Sequence, residues 1–517
     1  MPADEDAWLA KNGAYMNRRL IKGCENKMEN KTIMQFFEWY LPANSLHWKR
    51  CSAQAKALKE AGIDTVWLPP AYKGAGGSAS VGYDVYDTYD LGEFDQKGSV
   101  ATKYGTKDAY LQAVRDLQEQ GISVLADIVL NQMMGADETE EVMVEEVAAD
   151  NREKEIREDI RIRAWTKFNF PGRNGKYSDF CWNATNFSGT DWDEAGKRTG
   201  IFKFQGKEWH KETDREKANY DYLMGVDLDM DCPETAAAVE TWGKWYLDTV
   251  HMDGFRLDAV KHIDFNFYRE WIKKMREHTG KEMFTVGEYW SADLPRLLHY
   301  LDVVENSISL FDVPLHFAFQ TAATSQGGFD MGSIFNNSLV RARPECAVTF
   351  VDNHDTQPGQ ALASFVPEWF KPIAYAFILL RQEGVPCVFY GDYYGIPHDG
   401  ISPMAGLKTL LRLRRDYAYG QQRDYLDDSS VVGFTRAGDK EHPDSGMAVL
   451  MTDAAAGSKR MLVGKHFAGT RFFDGMRRCS QPVVIDENGE GEFQVNGGSV
   501  SVWIPEKAYE KIYVQVE

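Results

Sequence analysis

What this 517-residue chain lacks narrows its function before any motif is read. No apolar run approaches membrane-spanning length, so nothing predicts a transmembrane helix. The opening stretch MPADEDAWLAKNGAYMNRRL is acidic and carries no apolar core of a secretory signal. Positive charge is short as well. The net charge of −20 argues against a nucleic-acid or anionic-membrane partner and is compatible with a neutral ligand. Seven cysteines (Cys24, Cys51, Cys181, Cys232, Cys346, Cys387 and Cys479) form no CxxC pair and no even framework. Scattered thiols of this kind predict a reducing, cytoplasmic compartment. There is no Walker loop, no GxGxxG after the first strand, no HExxH and no GxSxG elbow, which sets aside several common chemistries.

What is present reads as a large globular enzyme. Hydrophobic content of 43% and charged content of 26% are ordinary, and the length calls for a catalytic-size domain plus one or two smaller modules. Aromatics reach 13%, with 14 Trp and 24 Tyr; most will be packing, though flat rings also suit sugar clefts. Short apolar runs that suit buried parallel strands recur along the chain: TIMQFFEWY, DTVWLPP, SVLADIVL, DGFRLDAV, MFTVGEYW, SISLFDV, AVTFVDN and VPCVFYGD. Helical patterns lie between them, such as TKDAYLQAVRDLQEQG, closing on Gly, and PETAAAVETWGKWYLDTV, opening on Pro. Eight such α/β units predict a closed (β/α)₈ TIM barrel, with a doubly wound sheet as the alternative. The regularity breaks over 131–231, rich in Asp, Gly, Asn and Trp, which reads as an inserted domain B after the third strand. Past Tyr419 short strands with Gly and Asn turns predict a C-terminal antiparallel β domain. The expected division is an N-terminal extension at 1–30, barrel domain A at 31–130 and 232–420, domain B at 131–231 and domain C at 421–517.

Acidic residues fall where the chemistry of a barrel belongs. Asp127 lies in the third strand candidate, Asp258 late in the fourth, Glu288 late in the fifth and Asp355 just past the seventh. The C-terminal ends of parallel barrel strands share one face, so these carboxylates converge. In MDGFRLDAVKHID, Arg256 and Asp258 are two apart and share a strand face. The bland reading is a structural ion pair. The functional one is an Arg that keeps a nucleophilic carboxylate ionised, while Glu288, in apolar surroundings near other acids, keeps its proton. Such a pair is what retaining glycoside hydrolysis requires.

The stretches DIVLN (127–131), GFRLDAVKH (254–262), VGEYW (286–290) and FVDNHD (350–355) resemble the four signature regions of the α-amylase family of glycoside hydrolases. MQFFEWYLP, VWLPPAYKG, VGYDVYDTYDLGEFDQKG, NYDYLMGVDLDMD and CVFYGDYYGIP resemble its bacterial liquefying-type branch, intracellular members included, and the likeness runs from Thr32 to Pro505. The resemblance implies a barrel, a domain B and a C-terminal β-sandwich. It implies Asp258 as nucleophile, Glu288 as general acid/base and Asp355 as the transition-state-stabilising carboxylate. Arg256 and His354 would support them, Tyr83 would stack under the sugar being cleaved, Lys261 and His262 would reach the reducing-end side, and Asp127 would join these residues in binding the substrate.

Two departures stand out. Gln132 occupies the position of the family's His at the cleavage subsite; an amide can donate a hydrogen bond but cannot carry a proton. The resemblance also implies one structural Ca²⁺ between domains A and B, held by Asn131, Asp221, Asp227 and the backbone carbonyl of His262. Relatives that hold further ions do so through acids where this chain has Ser188 and His210, which argues against a multi-metal cluster. The expectation is an endo-acting, monomeric α-1,4-glucan hydrolase acting on starch, glycogen or maltooligosaccharides. An α-glucanotransferase with the same triad, or a non-catalytic glucan-binding protein, are the alternatives.

Overall fold

The computed structural model describes residues 30–513. The N-terminal extension expected at 1–30 therefore lies almost wholly outside the described residues. The eight strand candidates all become strands of one closed parallel barrel: β1 (Ile33–Gln35), β2 (Thr65–Leu68), β3 (Ser123–Ile128), β4 (Gly254–Leu257), β5 (Phe284–Gly287), β6 (Ser309–Phe311), β7 (Ala347–Phe350) and β8 (Val385–Phe389). Each pairs with its sequence neighbours, and β1 closes the ring on β8. Only the leading residues Ser123, Phe284 and Val385 are less than fully buried, which is why these segments read as continuous apolar runs. Gly254 shows how tight the ring is: a Cβ there would sit 1.9 Å from the carbonyl oxygen of Phe284 on β5.

The connecting helices begin and end where their sequences dictate. Thr106 caps helix Lys107–Glu119 by accepting from the Ala109 N–H, and Gly121 turns the chain away with φ of +70°. Pro233 opens helix Pro233–Val250, and His251 ends it in the left-handed region. Two arginines close off a barrel helix, and one of them, Arg436, reaches it from strand Val431–Arg436 of the C-terminal sheet. Arg414 donates to the Leu379 carbonyl and Arg436 to that of Leu380, occupying the open C-terminal end of helix Lys371–Leu380.

The insertion after β3 is more regular than its composition suggests. It forms a six-stranded antiparallel sheet in the order Gln132–Met133, Val226–Leu228, Phe187–Asp193, Arg198–Phe204, Glu138–Val147, Glu155–Lys167. Beyond the barrel, a six-stranded antiparallel sheet from Gln422–Tyr425 to Ser499–Pro505 packs with the two-stranded sheet Gly457–Leu462 and Glu490–Val495. Leu450, Met461, Phe493 and Trp503 share the core between them. The chain then makes a helix, Glu506–Tyr513, that its pattern of short strands and turns did not announce.

Candidate active site

The acidic side chains reach the barrel mouth because of where the strands end. Arg256 on β4 and Asp127 on β3 are register partners. Asp258 and Glu288 each follow the last residue of their strand, and the ladder continues one step past both: Asp258 N–H donates to Ile128 O at 2.9 Å, and Glu288 N–H to Leu257 O at 2.9 Å. Ala259 then turns the chain at φ of 47°, a conformation that costs a residue with a Cβ about 1 kcal/mol or more. Asp355 is held from its own turn. Its N–H and that of Thr356 donate to Asn353 Oδ1, Thr356 Oγ1 donates to Asp352, and Asp352 lies 3.2 Å from the buried ammonium of Lys371.

Arg256 is the hub. Fully buried, it places Nη1 at 2.9 Å from Asp127 Oδ1 and 2.6 Å from Asp258 Oδ1, while Nη2 donates to Glu288 Oε2. The other oxygen of Asp127 accepts from Trp67 Nε1 at 2.9 Å and the Tyr83 hydroxyl at 2.8 Å. Asp127 therefore braces Arg256 and Tyr83. His354 accepts through Nδ1 from Gln35 Nε2 at 3.0 Å, which leaves its proton on Nε2, 3.2 Å from Asp355 Oδ2. Burial, with Arg256 nearby, pushes this imidazole far below its usual range, so it is neutral. The rings of Tyr83 and His354 lie within 11° of parallel at 5.1 Å, and Trp39 continues the same wall, within 1° of Tyr83 at 6.1 Å.

Four carboxylates around one guanidinium cannot all hold their charge. Burial, reinforced by Asp258 and Asp355 and opposed by Arg256, raises Glu288 to about 8. Burial likewise raises Asp355 to about 7. The site thus presents a carboxyl that is protonated near neutrality beside one held at 2.6 Å by an arginine. That pairing sets a proton donor beside a second carboxylate in one pocket.

The remaining expected residues divide. Lys261 Nζ donates to Glu216 at 2.7 Å and to the Trp290 carbonyl at 3.0 Å; His262 Nδ1 lies 2.6 Å from Tyr220 O, and burial lowers its imidazole to about 3. Gln132 spends one amide N–H on the Tyr83 carbonyl at 3.1 Å, and its buried Oε1 has no hydrogen-bond partner. Asn131, Asp221 and Asp227 lie at the junction of β3 with the inserted sheet, each at most 2% exposed. Asp227 is pushed well above the usual carboxylate range by burial and then by Asp221, while Ser188 donates to it and His210 lies nearby. Crowded, buried oxygen ligands of this kind suit a hard cation, and the buried Asn131 amide nitrogen is unpartnered. Gln35, Trp39 and Trp67 were missed by sequence reasoning. Gln35 is the one signal on offer, a polar residue that ends an otherwise apolar strand.

Against known proteins, the catalytic-domain model described as "Alpha amylase, catalytic domain" matches residues 48–437, and "Alpha-amylase C-terminal" matches 447–504. An alpha-amylase of Geobacillus stearothermophilus is 54% identical over 481 residues, covering 92% of this chain and 87% of that protein. The cytoplasmic alpha-amylase of Escherichia coli (strain K12) is 43% identical over 495 residues, covering 93% and 100%. The solved Geobacillus thermoleovorans alpha-amylase complexed with acarbose matches with a TM-score of 0.61 at 18% identity, covering 92% of this chain and 98% of that one, a likeness of fold.

Proposed function

The chain belongs to the α-amylase family, and from that premise we propose which of its residues carry out its reaction, the endo-hydrolysis of α-1,4-glucosidic bonds in starch and related glucans. Asp258 attacks the anomeric carbon as Glu288 gives its proton to the leaving glucosidic oxygen. Glu288, now a base, takes a proton from the water that releases the glycosyl-enzyme. Asp355, 3.2 Å from Nε2 of His354, faces the positive charge that develops on the ring, and Tyr83 supplies the platform beneath it. The single observation that carries this assignment is the guanidinium of Arg256 gripping Asp258 and Glu288 on its two terminal nitrogens. Retention needs its two carboxyl groups about 5–5.5 Å apart, and a single guanidinium that grips both keeps them near each other.

A proton NMR time course with maltoheptaose tests it. The expected result is early α-anomeric reducing ends on shorter products. Products longer than the substrate, with little gain in reducing ends, would instead identify an α-glucanotransferase, and β-anomers would remove the retaining mechanism.

Members of this family commonly bind calcium. We assign one Ca²⁺ to Asn131, Asp221, Asp227 and the His262 carbonyl, where it would offset the repulsion of two buried carboxylates and tie β3 to the inserted sheet. Chelation is therefore expected to lower the melting temperature by several degrees, since a ligand at a hundredfold excess over its Kd stabilises the native state by about 2.7 kcal/mol. An unchanged melting curve, with no calcium found by elemental analysis, would remove this assignment. A reducing compartment is supported by the free thiols of Cys51, Cys181, Cys232, Cys387 and Cys479. No helix among the described residues is long and apolar enough to cross a membrane.

A further inference from the structure

The chain carries a net charge of −20, yet three of its cations gather on one aromatic ring. Lys217 Nζ lies 4.2 Å from the centre of the Tyr220 ring, Lys261 Nζ 5.0 Å, and the guanidinium carbon of Arg152 5.9 Å. Lys217 also donates to the Tyr220 hydroxyl at 3.0 Å. The same ring stands edge-on to the imidazole of His262, centroids 4.3 Å apart, and His262 is four residues past Asp258. Like charges drawn together repel. Among the described residues, Glu216 is the one carboxylate within ion-pair distance of any of the three, accepting from Lys261 at 2.7 Å. Arg152 is the least compensated. It is 6% exposed, and its Nε and Nη1 have no hydrogen-bond partner. A guanidinium buried without a counter-charge is costly and calls for an anion. The segment beside it is strained as well. Lys217 and Ala218 both sit in the left-handed region, at φ of 56° and 68°, which disfavours residues with a Cβ. The Arg152 N–H donates to the Lys217 carbonyl at 2.8 Å and so holds that turn in place. Strain of this kind gathers where a ligand is clamped.

We propose that Arg152, Lys217 and Lys261 receive a phosphate monoester carried by a glucose unit on the reducing-end side of the bond being cleaved, so that phosphorylated α-glucans are a preferred substrate class. The inference rests on the hydrolase reading above and on Lys261 lying on that side of the cleft. Three cations and the Glu216 carboxylate leave two positive charges unanswered. A phosphate monoester, with about −1.5 to −2 charges at neutral pH, matches that excess, whereas a single carboxylate answers half of it. The two ammonium groups suit the ester oxygens as donors of charge-assisted hydrogen bonds, and Arg152 adds its field from the buried side of the ring. The Glu216 side chain is 46% exposed, so it can yield Lys261 to the ester and turn to water. An uncharged glucan makes no call on this excess, which is why its cleavage does not depend on Lys217.

The test sets maltoheptaose beside maltoheptaose phosphorylated on the 6-hydroxyl of its reducing-end glucose, with the full chain at low salt. The phosphorylated probe is expected to show a kcat/KM about tenfold higher, the weight of one hydrogen bond to a charged group, and to be cut nearer its reducing end. The advantage should shrink as sodium chloride is raised. Lys217→Gln should remove it while leaving the cleavage of maltoheptaose unchanged, and Glu216→Gln should enlarge it. A probe whose reducing end is oxidised to an aldonate, with one negative charge, should gain less. Equal kcat/KM for the phosphorylated and plain probes, an advantage preserved in Lys217→Gln, or an equal gain from the aldonate overturns the inference. Cleavage of maltoheptaose alone tests the hydrolase reading, and the ratio between probes tests this one. The same ratio taken as Kd by calorimetry in Asp258→Asn requires no turnover, so the two readings fail separately.

Discussion

Asp258→Asn is expected to lower turnover of maltoheptaose by about 10⁴-fold or more while the protein folds and binds oligosaccharide as before. The amide cannot attack carbon, so no glycosyl-enzyme forms. Folding survives because Arg256 keeps two other carboxylates, Asp127 at 2.9 Å and Glu288, and because the neutral Asn replaces the charge without changing the volume. Single-turnover rates, set beside calorimetric binding of a maltooligosaccharide, separate the two effects. Near-normal rates in the variant would move the nucleophile elsewhere. A collapse of the melting temperature would mean that the ion pair with Arg256 serves the fold as much as the reaction.

Glu288→Gln is expected to do two opposite things. Loss of the acid/base should cost about 10²–10⁴-fold in kcat. Stability should rise, and only above the acidic range. The carboxyl of Glu288 is raised from about 4.5 to about 8 in the folded chain, burial being the first cause. The folded state therefore favours the protonated form, and the stability this contributes is complete below the unfolded value and is lost as pH climbs through the folded one. Gln has no such loss. The melting temperature of the variant should match the parent near pH 4 and exceed it increasingly up to about pH 8, where the parent also loses activity on its alkaline limb. A melting difference independent of pH would show that Glu288 is not held protonated.

The sequence made the barrel legible for a specific reason. Its strands are buried on both sides, so β-branched and aromatic runs such as TVWL and AVTF stand out wherever they occur. The hairpin Glu138–Val147 with Glu155–Lys167 did not stand out, because its residues are mostly solvent-facing and charged. Its strands hold register through pairs such as Glu141 with Arg163 that no apolar alternation reveals. Helix Glu506–Tyr513 was hidden by following a strand with no turn residue between them. At the site, Asp258, Glu288 and Asp355 were readable from residue type, position on the strands and the family resemblance. Gln35, Trp39 and Trp67 act only through neighbours brought across the barrel, His354, Tyr83 and Asp127, and no local pattern encodes such a partnership. Gln132 was readable as a departure. That its amide supports the backbone of Tyr83 was not.

Arg256 also sets the selectivity of the pocket over the course of a reaction. Asp127, Asp258, Glu288 and Asp355 share a single guanidinium, and His354 adds no charge. The cavity is therefore short of positive charge before any sugar arrives. A resting glucose, being neutral, does nothing to correct this; a ring flattened and cationic between C1 and its own oxygen does. The deficit acts as a sensor of bond order, indifferent to an intact glucoside and attractive to one that is half broken.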